Sequence, residues 1–352
     1  MTSVRVRFAP SPSGSLHVGN ALTAAANRRF ADDGGGSLVL RIDDTDPART
    51  VAGGEEAILE DLRWLAIGWD EGPLRQSERG ALYAGAADRA LERGAVRDED
   101  GSIRLDGVTL VRPDGTATYQ LATVVDDLEL GITHVIRGSD HRPNEAPQRL
   151  LARALGGELP QVVHHGLLVG EDGKKLSKRH GAVSVAELRA EGIPAEALRA
   201  YLDELGLPAH DVRFDRGRIG RLAIEAIAAM PDDELAEAAD APAEHARALR
   251  GARTLVEARE LARQLAHAEA VSLPPEAGPT LERFVELRAG EGKLDEGAAK
   301  AILRELKAVG GDLRALRLAL TGAERGPELW TVLAALPREE ALARVHRAQA
   351  PG

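Results

Sequence analysis

The hydrophobic pattern divides the chain into a front part that mixes short strands with helices and a rear part that is helical almost throughout. In VRVRF, residues 4–8, apolar and charged positions alternate, and β-branched side chains predict a strand. The stretch 9–19, APSPSGSLHVG, holds two prolines and two glycines and predicts a loop. Residues 20–31 have helical spacing, with Arg28 and Arg29 near the end where cations suit the helix dipole. Gly34, Gly35 and Gly36 predict a turn, and residues 38–42 predict a second strand. A strand–helix–strand unit of this length predicts a parallel α/β sheet.

Helical spacing returns over 55–65 and 81–93, and residues 94–118 are turn-rich, with hairpin-like alternation around Ile103 and Val108 to Val111. Strands are expected at 133–137 and 162–169, with a helix over 144–155 between them. From Val185 onward the spacing is helical with scarcely a break, and 240–242 and 273–279 are the clearest linkers. Residues 295–309 predict an amphipathic helix closed by Gly310 and Gly311. No internal repeat is visible. The fold class is therefore α/β in front and all-α behind.

Composition narrows the possibilities. A chain of 352 residues implies two or three domains, and 43% apolar with 29% charged residues is ordinary for a soluble protein. No stretch approaches the roughly eighteen unbroken apolar residues of a membrane span, and the start lacks the basic-then-apolar plan of a signal peptide. A cytoplasmic monomer is the expectation. With no cysteine, a disulfide frame, a thiolate zinc site and a cysteine nucleophile are excluded. A formal charge of -11 argues against wholesale coating of nucleic acid but leaves room for a local basic track.

One such track exists. Of six lysines, Lys174, Lys175 and Lys178 lie together in GKKLSKRHG, while arginine serves almost everywhere else. Compact ammonium groups on a glycine-led loop suit moving phosphate charge, although a solvated surface loop would look the same. Near the N-terminus, the loop after the first strand opens where α/β sheets bind ligands. The helix that follows offers free N–H groups to phosphate. Gly14 and Gly19 would let the backbone approach a nucleotide, and His17 could donate to a phosphate oxygen. Alone, that loop is equally an ordinary turn.

Taken together, HVG at the first helix and KLSKR after a late strand resemble the two signatures of class I aminoacyl-tRNA synthetases. RFAPSPSGSLHVGN, LRIDDTDPART, YQLATVVDD, HVIRGSDH, GEDGKKLSKRHGAVSV and, near the end, RLALTGAERGPELWTVLAAL resemble the glutamyl-tRNA synthetase family. The likeness is dense over 4–79 and 117–208 and thin over 215–310. It implies a Rossmann-like catalytic domain over 1–184, a helical stem-contact region over 185–240 and a helical anticodon-binding-like domain over 241–352. It implies activation of L-glutamate with ATP and its Mg2+, without zinc, followed by transfer to the 3′ end of tRNA(Glu). His17, Lys175 and Lys178 are the expected catalytic residues. Pro10, Gly14, His17, Gly19, Asn20, Lys175, Ser177, Lys178 and Arg179 are expected around ATP. Arg7, Ala9, Ser11, Asp43, Tyr119, Thr123 and Arg137 are expected around glutamate. Singly, Arg137 could be a surface ion pair, Tyr119 a core residue, and Asp43 with Asp44 a helix cap. No residue set for a protein-bound metal is expected.

Physical chemistry agrees with that set. A carboxylate attacking the α-phosphorus needs charge repulsion relieved, and the departing pyrophosphate needs cations. The nucleophile is already ionised, so no general base is required. Arginine on a carboxylate and an acid on the ammonium would recognise glutamate.

The chain also departs from the family pattern. Asp43 stands where glutamate is more common, and Thr123 where asparagine is usual; Ser139, Arg142, Pro143, Glu145 and Ala146 replace commoner residues. Only 42 residues separate Gln76 from Tyr119, an interval that holds an acceptor-gripping insert in typical members. Residues 94–118 are then a remnant, too short for a core of their own. Two alternatives follow: a tRNA-independent glutamate-activating ligase, favoured by the lost insert, and a glutamyl-queuosine-type synthetase, disfavoured by the long helical tail. A regulatory paralog without turnover is disfavoured by the intact His17, Gly19, Lys175, Ser177 and Lys178. Arg213, Arg216, Arg218 and Arg221 are either phosphate contacts or solvated helix charges.

Overall fold

The computed structural model describes residues 3–174, 176, 183–269, 271–290 and 292–349; Lys175, Ser177, Lys178 and Arg179 lie outside them. The chain divides into two compact units, Met1–Arg189 with Arg199–Asp215, and Ala190–Leu198 with Arg216–Gly352.

The first unit opens with β1 (Arg5–Phe8), α1 (Val18–Asp33), β2 (Ser37–Ile42), α2 (Gly54–Trp64) and β3 (Glu71–Arg75). Strands β1, β2 and β3 pair in parallel in that order, with Val6 opposite Leu38. β3 carries a weak sequence signal because Gly72 and Pro73, both poor strand formers, sit within it. Next come α3 (Gly80–Leu91), the short strands β4 (Val96–Arg97), β5 (Ile103–Leu105) and β6 (Val108–Val111), and α4 (Tyr119–Glu129). β4, β5 and β6 form one antiparallel sheet, adding a strand to the expected hairpin. Ile103 and Leu110 bury themselves with Tyr83, Ala90, Leu121, Val125 and Leu151, so this small sheet shares the core of the flanking helices.

Strand β7 (His134–Gly138), helix α5 (Glu145–Ala154) and strand β8 (Gln161–His165) follow, with β7 and β8 parallel and Arg137 opposite His164. Thr133 fixes β7 beside β1: its N–H donates to Arg5 C=O at 2.9 Å and its hydroxyl accepts from Arg5 N–H at 2.8 Å.

The single strand expected over 162–169 is two. It breaks after β8, and β9 (Leu168–Val169) pairs instead with a later strand. Gly166 causes the break: its N–H donates to Pro208 C=O at 2.6 Å, and a Cβ there would sit 1.9 Å from the His210 carbonyl oxygen. The unit finishes with α6 (Val185–Ala190), part of α7 (Ala195–Leu205) and β10 (Val212–Arg213), the partner of β9. β10 thus interrupts the helical run expected from Val185.

The second unit is all helix between Arg216 and Gln349 among its described regular elements. Its core gathers Phe284, Leu316, Leu320, Val332 and Val345. Asp295 and Asp312 cap two of its helices, accepting from Ala298 N–H at 2.8 Å and Ala315 N–H at 3.0 Å. Arg216 and Arg218 pair with Glu191 and Glu225. Arg344, 3% exposed, ties the core together. Its guanidinium donates to the carbonyls of Leu265 at 2.6 Å and Leu320 at 2.8 Å, groups that helix ends leave without partners. Glu340 balances its charge at 2.6 Å.

Replacing this guanidinium strands those carbonyls in the core. Arg344→Met is expected to destabilise the helical unit by about 3 kcal/mol, read as a shifted denaturation transition for that unit.

Candidate active site

A single cleft opens at the carboxyl ends of β1, β2 and β7. Arg7, Ala9, Pro10, Ser11, His17, Gly19, Asn20, Asp43, Tyr119 and Arg137 line it. Gly14 lines an adjoining hollow with Ser11, His17 and Asn20. Thr123 is the exception: it is 1% exposed, lies within α4 and is not among the lining residues.

The β1–α1 loop is latched from below. Asp61 on α2, itself buried, accepts from Ser15 Oγ at 2.7 Å and Leu16 N–H at 2.8 Å. At the top, His17 is the N-cap of α1 and its Nδ1 accepts from Asn20 N–H at 3.3 Å. That contact assigns the ring proton to Nε2, the nitrogen that can donate to a phosphate oxygen. A Cβ at residue 19 would approach Nδ1 to 3.3 Å, so glycine gives the ring its room.

Residues after the lysine segment return to the same loop. Val18 N–H donates to Val183 C=O at 3.1 Å, and Val185 N–H donates to Leu16 C=O at 2.8 Å. Ser184 and Glu187 form a capping box that starts α6 there. Leu176, within the segment itself, lines the cleft. Both signatures singled out in the sequence therefore have described residues at one place.

Beneath the cleft lies an ionic cluster of which the sequence pattern indicates only Arg7 and Asp43. Arg41, fully buried in β2, donates to Asp43 at 2.7 and 3.2 Å and to Asp127 at 3.0 Å. Arg7 shares Asp127 at 3.2 Å. Asp126, fully buried, accepts from Gln76, Arg79 and Tyr83 at 2.8, 2.8 and 3.0 Å. Burial pushes the Asp43 carboxyl upward while Arg41 opposes the shift. A charged residue inside the apolar strand LVLRI was the available signal, because such a charge needs buried partners.

Arg137 is different. At 5% exposure it donates from Nη1 to Gln148 Oε1 at 2.9 Å, while Nε and Nη2 have no partner. Burial lowers its pKa, with Tyr119 and Asp127 pulling the other way and Arg7 adding to the lowering. Tyr119 Oη lies 3.3 Å from His141 Nδ1. Arg49, Asp140, His141 and His165 also line the cleft without having been picked out as site residues. No cluster of three or more metal-ligating side chains occurs among the described residues. No described helix is long and apolar enough to cross a membrane.

The family of class I tRNA synthetases (E and Q), catalytic domain, matches residues 3–101 and 99–214. The chain belongs to that family. Among curated proteins, a glutamate–tRNA ligase of Rubrobacter xylanophilus is 39% identical over 99% of this chain and 98% of its own length. A glutamate–tRNA ligase of Dinoroseobacter shibae is 38% identical over 60% of this chain and 58% of its own length. A solved glutamate tRNA ligase of Elizabethkingia meningosepticum, 23% identical, superposes with a TM-score of 0.77 over 98% of this chain and 99% of that one. It shares the fold. This synthetase therefore carries the mixed α/β front and helical rear expected of its sequence.

Arg41→Met in this synthetase is expected to cost about 3–5 kcal/mol, since it leaves the buried carboxylates of Asp43 and Asp127 short of their cation. Chemical denaturation of the first unit measures it. His165 supplies a pH dependence. Burial lowers its pKa, against the opposing pull of the Gly166 carbonyl and Asp140. The unfolded chain therefore takes up the proton first as pH falls below about 6.5, and folding stability is lost in that direction. His165→Gln is expected to show a smaller loss of Tm between about pH 7 and pH 5.5.

Proposed function

We propose that this chain is a glutamate–tRNA ligase, forming glutamyl-adenylate from L-glutamate and ATP and passing the glutamyl group to the 3′ end of tRNA(Glu). The observation that carries the reading is the cleft itself, where two buried arginines, Arg7 and Arg137, stand beside the His17 loop. Arg137 has two donors unengaged, as a receptor for an anionic side chain would. Relatives bearing the same name along their whole length support it.

Roles follow from the chemistry. Arg137 receives the side-chain carboxylate, and Tyr119 closes that end. Arg7, Ala9, Ser11 and Thr123 complete the glutamate pocket, with Thr123 acting from inside α4. Asp43 accepts from the α-ammonium through lone pairs that Arg41 leaves open. Pro10, Gly14, Gly19 and Asn20 hold ATP against the start of α1, with Ser177 and Arg179 on the opposite side. ATP brings its Mg2+ with it. The glutamate carboxylate attacks the α-phosphorus, the bond to the β,γ-pyrophosphate breaks, and His17, Lys175 and Lys178 stabilise the charge that leaves. The 3′ hydroxyl of tRNA then displaces AMP from the acyl carbon.

The domain reading is part of the proposal. Residues 1–184 are the catalytic domain, 185–240 the stem-contact region and 241–352 the anticodon-binding-like domain. Residues 94–118 stand for the reduced acceptor insert. In support, the family matches in two pieces that meet at residues 99–101, and the Rubrobacter alignment runs over 424 residues against 352 here. That shortening is also what favours the second reading, a ligase that activates glutamate without tRNA. A cytoplasmic monomer remains the expected form.

Glutamate-dependent ATP–pyrophosphate exchange with and without total tRNA, followed by charging of tRNA(Glu), separates the two. Charging is the expected result; exchange without tRNA and no charging would favour the second reading. Lys178→Ala is expected to raise the activation barrier by about 3 kcal/mol, and an unchanged exchange rate would remove it from the mechanism.

A further inference from the structure

The buried arginines around the cleft do not have equivalent partners. Arg7 is answered by Asp127 at 3.2 Å, and Arg41 by Asp43 at 2.7 Å and Asp127 at 3.0 Å. Arg79, half-buried and outside the cleft lining, is answered by Asp126 at 2.8 Å. Arg137 makes no ion pair among the described residues; its close hydrogen bond goes to the neutral carboxamide of Gln148 at 2.9 Å, and the Tyr119 phenol also acts on it.

Gln148 sits on α5 and is 1% exposed, so this pairing is enclosed. The acid nearest in sequence on that helix, Glu145, is engaged with Arg149 at 2.7 Å. A buried guanidinium without a carboxylate is costly, and that cost is relieved only when an anion arrives. A neutral partner can hold the guanidinium plane in place without satisfying its charge. Gln148 Oε1 fixes Nη1, while Nε and Nη2, both buried, have no acceptor.

We propose that Gln148 is a positioning residue that sets the charge requirement of the side-chain pocket. By orienting Arg137 through a neutral group, it makes the pocket select a carboxylate-bearing amino acid over its carboxamide. The inference rests on the reading of Arg137 as the receptor of the substrate side chain. Selectivity here is a difference between two bound states: a carboxylate neutralises the buried cation, whereas a carboxamide only hydrogen-bonds to it. An acid at position 148 would neutralise Arg137 in advance and remove that difference.

The test uses the full chain in tRNA-supported ATP–pyrophosphate exchange, with glutamate and glutamine compared as substrates. Gln148→Glu is expected to lower the glutamate-over-glutamine ratio of kcat/KM by roughly 100-fold, mostly through a higher glutamate KM. Gln148→Met keeps the position neutral without the acceptor. It is expected to retain the preference for glutamate while raising its KM roughly tenfold. A ratio in Gln148→Glu within about threefold of the parent overturns the proposal. If that variant does not fold, Gln148→Met decides, and an unchanged glutamate KM overturns the proposal. Arg137→Ala separates the two layers. If it abolishes glutamate use while Gln148→Glu keeps the ratio, the receptor stands and the role of Gln148 falls. An unchanged glutamate KM in Arg137→Ala overturns both.

Discussion

The guanidinium of Arg41 is the point on which the front unit turns. It comes from the penultimate position of a buried strand and reaches two acids, Asp43 just past its own strand end and Asp127 on α4. Asp127 passes the constraint to Arg7 on β1, so three pieces of backbone are tied through one charge. Removing any member would leave the others charged in a medium that cannot solvate them, which makes the arrangement all-or-none. The floor of the cleft is rigid for that reason, and the groups above it inherit fixed positions.

Much of the fold was legible because its signals are local. Strands β1 and β2, the loop after β1 and helix α1 follow from alternation, proline, glycine and helical spacing within a few residues of each other. The failures have physical causes of the opposite kind. The break at Gly166 depends on residues 208–211 packing on its backbone, a long-range contact that no local pattern records. β3 hides behind its own glycine and proline, and β10 is two residues long.

The site divides along the same line. His17, Gly19 and Asn20 stand in one motif, and the family resemblance brought Arg7, Asp43, Tyr119 and Arg137 with it; the structure puts all seven around the cleft. Thr123 came in with the motif but lies inside its helix. Gln148 and Asp61 gave no signal, because a polar residue in an amphipathic helix is expected to face water. Only their burial shows that each one holds a more obvious neighbour.

The small sheet β4–β6 has a consequence for how such chains diverge in length. It leaves α3 and rejoins α4 while resting on apolar residues that those helices already present. Growing or trimming a segment closed at such a base costs little loop entropy and disturbs neither the parallel sheet nor Arg41. Gene-level insertions and deletions would therefore accumulate between α3 and α4, letting that surface change in size apart from the cleft and its ionic floor.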